Sequence, residues 1–380
     1  MSKTVKKEEV TEISPQNSEK DTLASIMKEF KDEHENYTER VLWKVSTGSL
    51  LLDVATGGIT PSLWRLCGQN NSGKTPQSLE IIRNMFNGLD KCKAIWVLAE
   101  GRGLSTENKE RCGLKFVYKP EEWDNHTVFV LESNIFELVI RTFKDLVINN
   151  PNNFIYAFVI DSIDGLTLRD DAKKEITENN RVAGVPALSK KMMQSISLKM
   201  FKYGHWMGLI SQVTAEIKVD QYAPSANRGG KFSGGNSLLH GSDYIIQYEQ
   251  PSDGDFIIDN NSGKFNDGKS KPIGQNVKIS FVKSGKEISK KRKMTYPIKY
   301  GKKLSAIWKE REIVDILLGW GIAKRSGAWI APSSELVEEL NSVGLDIPLK
   351  IQGIDNFYKL LEENTGLCDY LFKKLESIMS

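Results

Sequence analysis

The sequence predicts an α/β protein with a mostly parallel sheet and helices on both of its faces. Three observations lead there. Short, continuous apolar runs at Ala94–Ala99, Phe154–Ile160, Met207–Ser211 and Tyr244–Tyr248 are each bounded by turn or polar residues, the pattern of strands covered on both sides. Longer helical patterns, such as Ile135–Val147 and Leu188–Phe201, lie between them. Gly68–Thr75 matches G-x-x-x-x-G-K-[ST] between an apolar stretch, Leu63–Cys67, and a helical pattern, Leu79–Phe86.

In chain order, residues 1–20 are polar and charged and read as a disordered tail. Leu23, Ile26, Met27 and Phe30 share one face of a short helix expected within residues 21–36, with Asp21 near its N-cap. That helix docks either on its own domain or on a neighbour. Strands and helices alternate from Val41 to about residue 248. Residues 252–274, rich in Asp, Asn, Gly, Ser and Lys, read as a loop or long hairpin connection. Val277–Val282 and Thr295–Tyr300 are two strands flanking the basic segment KSGKEISKKRK, and they predict an antiparallel extension of the sheet. From about residue 303 the pattern turns helical, with small turns at Gly319, Gly327 and Gly344. The expected organisation is a tail and N-terminal helix over 1–37, a core over 38–302 and a smaller C-terminal domain over 303–380.

Composition sets outer limits. A chain of 380 residues predicts two domains at roughly 150 residues each. Hydrophobic residues make up 39% and charged residues 27%, enough apolar material for a sizeable core, which excludes a wholly disordered chain. No apolar run approaches the ~20 residues of a membrane span. The opening MSKTVKKEEVTEISPQNSEK lacks the apolar stretch of a secretory signal, so a cytoplasmic location is expected. Cys67, Cys92, Cys112 and Cys368 form no C-x-x-C pair and predict free thiols. With 52 Lys+Arg against 49 Asp+Glu the net charge is +3, which neither demands nor excludes nucleic acid.

The chemistry starts at Gly68, Gln69, Asn70, Asn71, Ser72, Gly73, Lys74 and Thr75. Glycines let backbone N–H groups wrap phosphates without side-chain clash, and the following helix adds its positive end. Lys74 would reach the β- and γ-phosphates, and the Thr75 hydroxyl would ligate Mg²⁺. Pro76 fits a first helical turn, where its missing N–H has no intrahelical partner. Asp161, closing the run Phe154–Ile160, is placed to orient Mg²⁺ or its water. Glu100, closing Ala94–Ala99, stands either as the carboxylate that polarises an attacking water or as an ordinary strand-end glutamate. Gln212, after Met207–Ser211, stands either as a γ-phosphate sensor or as a polar strand end beside a glycine-rich loop.

These parts in this order resemble the RecA family of homologous-recombination ATPases. VSTGSLLLDVATGGI (Val45–Ile59), GGNSLLHGSDYIIQY (Gly234–Tyr248), WGIAKRSGAWI (Trp320–Ile330) and IQGIDNFYKLLEENTGLCDYLFKKL (Ile351–Leu375) are similar to family segments at matching places. The resemblance implies a RecA-type P-loop ATPase core with an N-terminal oligomerisation helix and a small α+β C-terminal domain. It implies ATP and Mg²⁺ as cofactors, Glu100 as the catalytic glutamate and Gln212 as the sensor that opens a DNA loop. Lys283 and Lys286, in FVKSGKE, match lysines that reach a neighbour's ATP. DNA loops are implied at about 165–187 and 213–235. Arg169, Lys173, Lys174, Lys218, Arg228 and Lys231 supply their cations, and Gly234, Gly235 and Asn236 open the GGN segment. The implied partners are single-stranded DNA, homologous duplex DNA and further copies of the chain in a helical filament, with no membrane.

There are departures from the pattern. The loop after Glu100, GRGLSTENKERCGL, lacks the Asp-Pro and the aromatic residue that the family places around adenine. Leu98 replaces an acidic residue, and His240 replaces an aromatic one. The Lys- and Asn-rich composition suggests a phage-encoded member acting in its host's cytoplasm. Lys290, Lys291, Arg292 and Lys293, with Lys299, Lys302 and Lys303, offer contacts to a second DNA strand, to an acidic neighbouring surface, or only to solvent. The expected function is ATP-dependent strand exchange on a DNA filament. A DNA-binding protein with little ATP turnover and a ring-forming DNA motor are the competing readings.

Overall fold

The computed structural model describes residues 15–31, 39–101, 103–173, 184–214, 231–232, 235–259, 270–286 and 293–379. The chain forms two compact units, Met1–Arg40 and Val41–Ser380. The first holds α1 (Pro15–Glu29), on which Leu23 and Ile26 are exposed, as is Phe30 just past its end. The helix expected to start near Asp21 therefore begins six residues earlier. Proline at a first helical position has its φ already set and gives up an N–H that has no intrahelical partner. Residues 1–14 of the expected tail and 32–38 lie outside the described residues.

The second unit opens with α2 (Leu50–Thr56), β1 (Leu63–Gly68), α3 (Lys74–Gly88), β2 (Cys92–Leu98), α4 (Thr106–Cys112), β3 (Lys115–Val117), β4 (Thr127–Glu132), α5 (Phe136–Ile148) and β5 (Ile155–Asp161). It continues with α6 (Gly184–Lys202), β6 (Trp206–Ser211), the short pair β7 (Val213–Thr214) and β8 (Lys231–Phe232), α7 (Gly235–Gly241) and β9 (Tyr244–Tyr248). After β10 (Phe256–Ile258) come β11 (Pro272–Lys283) and β12 (Lys293–Lys299). The C-terminal part is α8 (Lys309–Gly319), β13 (Ala323–Ser326), β14 (Trp329–Pro332), α9 (Ser334–Ser342), β15 (Ile351–Gln352), α10 (Ile354–Glu363) and α11 (Thr365–Met379).

Parallel pairing runs β3-β4-β2-β5-β6-β1-β9, and β11 joins β9 antiparallel with β10 and β12 against it. The α/β class and the antiparallel extension are as expected. Alternation within each strand divides the core between the two faces. Ala94, Trp96, Leu98, Ala157 and Val159 meet Leu79 and Ile82 of α3 on one side. Ile95, Val97, Phe158 and Ile160 meet Phe143 of α5 and Met192 of α6 on the other. Burial on both faces is why these strands read as unbroken apolar runs. Residues 252–274 are not all loop, since β10 pairs with β11 within them. The C-terminal part is α+β: β13, β14 and β15 form a small antiparallel sheet, and Gly327 turns between the first two at φ +60°. Among the described residues no helix is long and apolar enough to cross a membrane. The four cysteines are buried free thiols.

Two buried carboxylates hold these parts together: Glu312 ties the C-terminal part to the start of α2, and Glu80 ties α3 to the C-terminal part. Glu312, on α8, accepts from Ser49 Oγ at 2.8 Å, Leu50 N at 2.9 Å and Leu51 N at 3.0 Å, and so satisfies the first turn of α2. Glu80, on α3, accepts from Ser305 Oγ and Ala306 N, both at 3.1 Å. On the same helix Gln77 Nε2 donates to Thr47 O and Asn84 Nδ2 to Ser46 O, each at 2.9 Å. Burial pushes Glu312 up to about 7 against its three hydrogen bonds, and burial likewise pushes Asp53 up to about 6. The native state therefore binds more protons than the unfolded chain between the ordinary carboxylate range and about pH 7. The stability from these two groups is fully present below that range and is lost as pH rises through their native values. Glu312→Ala should cost about 2–4 kcal/mol by stranding three donors, two of them fully buried. Denaturant titrations of the wild type and Glu312→Gln from pH 4.5 to 8 should show a shallower decline with pH in the variant.

Candidate functional site

β1 ends at Gly68, packed so closely that an added Cβ would lie 2.7 Å from Tyr248 O and 3.0 Å from Ser72 Oγ. The loop that follows turns through Asn71 at φ +59° and Gly73 at φ +103° before α3 begins. Asparagine and glycine tolerate these left-handed positions best. A Cβ at Gly73 would also meet Val277 Cγ2 at 2.9 Å. Lys74, only 7% exposed, folds its ammonium back along the loop. Its Nζ donates to Gly68 O at 2.7 Å and Gln69 O at 2.6 Å, with Ser72 Oγ at 3.4 Å. Burial lowers its pKa, against the attraction of Asp161 and Glu100. A desolvated cation beside a loop whose Gly68 and Gly73 leave no room for a Cβ is suited to an anion carrying several charges.

The neighbouring strand ends add the acidic half. Thr75 Oγ1 lies 3.4 Å from Asp161 Oδ2 at the end of β5. Burial first, and the nearby Glu100 charge second, push Asp161 up to about 6. Glu100, just beyond β2, accepts from Ser162 Oγ and from Gln212 Nε2, the latter at 3.1 and 3.4 Å to its two oxygens. Gln212 N in turn donates to Asp164 Oδ2 at 2.6 Å. The alternatives left open for Glu100 and Gln212 now have a geometric setting: the two side chains touch each other and face the cavity that Lys74, Thr75 and Asp161 line.

That cavity has a volume of about 660 Å³. Loop residues 70–76, Glu100, Asp161, Ser162 and Gln212 form one end, and Leu104, Arg111, Gln275, Ile298 and Tyr300 form the other. The second end was not foreseen. Its residues belong to no motif, and α4, β11 and β12 bring them together only in the fold. Tyr300 OH donates to Gln275 Oε1 at 2.9 Å, and the Arg111 guanidinium lies 5.9 Å from the Tyr300 ring centroid while it pairs with Glu107. The one signal available in sequence was an aromatic residue closing the predicted strand Thr295–Tyr300.

The donors fit a nucleoside triphosphate with Mg²⁺. Among the described residues no group of three His, Cys, Asp or Glu side chains is gathered for a metal. Thr75 and Asp161, whose oxygens lie 3.4 Å apart, offer two oxygen ligands, as in sites where substrate phosphates and water complete an octahedron. Gly68 and Gln69 shape the loop and hold Lys74 through their carbonyls rather than lining the cavity.

Other expected site residues lie elsewhere. Lys283 and Lys286 do not line this cavity. Lys283 Nζ donates to Leu239 O at 3.2 Å and His240 O at 2.7 Å, at the end of α7, and the Lys286 side chain covers Gly57 after α2. Arg169 and Lys173 are exposed beyond β5, and Arg169 N donates to Glu137 Oε2 at 3.0 Å. Lys231 lies in β8, while Gly235 and Asn236 open α7. Lys174, Lys218, Arg228 and Gly234 lie outside the described residues, as do Lys290, Lys291 and Arg292.

No family model matches the chain. It is 25% identical over 328 residues to "Protein RecA" of Delftia acidovorans, covering 85% of this chain and 75% of that protein. It is 24% identical over 377 residues to "Protein RecA" of Solidesulfovibrio magneticus, covering 96% and 92%. It is 23% identical over 339 residues to "Protein RecA" of Campylobacter fetus, covering 88% and 84%. Together with a parallel sheet whose strand ends gather Lys74, Thr75, Asp161, Glu100 and Gln212 around one cavity, these likenesses support a RecA-like family for the chain.

Proposed function

We propose that the chain is a DNA-dependent ATPase and recombinase, which forms a filament on single-stranded DNA and promotes homologous pairing and strand exchange. The observation that carries this reading is the contact between Glu100 and Gln212. It joins a carboxylate beside the phosphate loop to the residue from which 213–235, the second expected DNA loop, departs. Likeness to proteins named RecA along most of the chain supports it.

In this reading the loop from Asn70 to Gly73 cradles the β- and γ-phosphates with its N–H groups, and Gly68 and Gln69 shape it from behind. Lys74 exchanges carbonyl partners for phosphate oxygens. Thr75 and Asp161 hold Mg²⁺, which neutralises phosphate charge when bound. Glu100 orients and deprotonates the attacking water, and Ser162 fixes its carboxylate. Gln212 divides its amide between Glu100 and the γ-phosphate end, so loss of that phosphate alters how the loop after it is held. The Leu104, Ile298 and Tyr300 end takes the base. Arg169, Lys173, Lys174, Lys218, Arg228 and Lys231 contact the DNA backbone, making affinity fall steeply with salt. Lys283 and Lys286 leave their intramolecular positions to reach a neighbouring protomer's nucleotide. Residues 1–37 carry the oligomerisation helix, 38–302 the ATPase core and 303–380 a C-terminal domain. Action in the cytoplasm of a bacterium or of a phage-infected cell follows.

The test is steady-state ATP hydrolysis with and without single-stranded DNA. The wild type should be stimulated by DNA, and Lys74→Ala should abolish the stimulated rate. Turnover unchanged in Lys74→Ala would refute the assignment of the site. Glu100→Gln should retain ATP binding in calorimetry while losing about 10²-fold or more in turnover, the range of a lost general base. Hydrolysis that is low and indifferent to DNA would favour a DNA-binding protein that uses ATP as a structural ligand.

A further inference from the structure

One buried side chain touches both ends of the cavity. Gln275, on β11, is 6% exposed. Its Nε2 donates to Asn71 O in the phosphate loop at 3.3 Å, and its Oε1 accepts from Tyr300 OH at 2.9 Å. The orientation of the amide follows from the partners. A backbone carbonyl can only accept, so the NH₂ must face Asn71, and the tyrosine hydroxyl must spend its proton on Gln275. The backbone at Gln275 is held on both sides, opposite Phe256 of β10 and Ile298 of β12. Asn71 is also the position where the loop takes a left-handed turn without glycine, at φ +59°, and its carbonyl is one of the groups whose direction that turn sets.

Resting on the reading of this cavity as an ATP site, we infer that Gln275 is a positioning residue for the nucleotide: it fixes the separation between the phosphate loop and the Tyr300 wall. It reaches no reacting atom in that reading. It links two surfaces that must grip opposite ends of one ligand, so a ligand spanning both ends feels the link and a ligand filling only the phosphate end does not. Nothing in the motifs identifies it, because Asn71 and Tyr300 come from opposite ends of the core sequence and meet only through β11.

The experiment uses the full chain with Mg²⁺ and measures dissociation constants for ATP and for inorganic tripolyphosphate by calorimetry, together with kcat and KM for ATP. The variants are Gln275→Leu, Tyr300→Phe and the double. Each single variant should weaken ATP binding about five- to tenfold, the usual worth of a buried hydrogen bond, and should raise KM with kcat within about twofold. Tripolyphosphate should lose less than ATP in every variant. The double variant should lose no more than the worse single, since both substitutions break one chain of hydrogen bonds. Equal losses for ATP and tripolyphosphate, fully additive losses, or no loss of ATP affinity would each overturn the positioning role. A wild type that binds tripolyphosphate and ATP equally well would overturn the ATP-site reading itself, and the inference with it. Tyr300→Phe removes one oxygen and no packing volume, so the test stands if Gln275→Leu does not fold.

Discussion

Parallel hydrogen bonding among β1, β6, β5 and β2 sets one edge of the sheet, and the site is what that edge carries. The register places Cys67 opposite Ser211 and Leu98 opposite Asp161. The residues just past these pairs include Gly68, Gln212 and Ser162, and Glu100 lies one residue further along the chain. Four strand ends thus fall within three inter-strand spacings, about 15 Å. All four strands are buried on both faces, so slipping any of them by one residue would send every side chain to the opposite packed face and break its fit against the helices there. A one-residue change in β2 would likewise carry Glu100 away from Ser162 and Gln212. The packing that stabilises the fold and the geometry that suits the site are the same constraint.

Electrostatics at that edge are poised rather than neutralised. Lys74 is desolvated and meets only carbonyls and a hydroxyl at hydrogen-bonding distance. Asp161 is raised to about 6 by burial and by Glu100, and only Thr75 and the more distant Lys74 charge oppose this. A cation and an anion held apart in a low-dielectric cleft are each short of a counter-charge, and a metal–triphosphate supplies both. The loop holding Lys74 is braced from behind. α3 is tied through Gln77, Glu80 and Asn84 to Ser46–Gly48 and to Ser305–Ala306, and Glu312 on α8 grips Ser49–Leu51. Movement of α3 is therefore mechanically linked to the C-terminal part through hydrogen bonds that cannot be broken one at a time without stranding buried groups.

The sequence made the central strands and the phosphate loop legible because both are local. FIYAFVI has no polar position to mislead, and the Gly68–Thr75 spacing is complete within eight residues. Glu100 and Gln212 could be found because each directly follows an apolar run. Less was visible where structure depends on distant pairing. β3 is three residues long and exists only through its ladder with β4. β10, inside a segment that reads as a loop or long hairpin connection, is held antiparallel by β11, as the hairpin alternative has it. The start of α1 at Pro15 was hidden by the polar composition around it. Leu104, Arg111, Gln275 and Tyr300 carried no spacing signal, since three separate elements converge to form that wall. Lys283 shows a contact that resemblance did not suggest, on the last carbonyls of α7.

The proposed function stands or falls on what the chain assembles into. Electron microscopy of the full chain with ATP, Mg²⁺ and single-stranded DNA is the most direct measurement. A helical filament along the DNA, with nucleotide density beside Lys74 and Glu100 of one protomer and close to Lys283 and Lys286 of the next, is the result expected. Closed rings, or single protomers scattered on the DNA with Lys283 still seated on the end of α7, would contradict it.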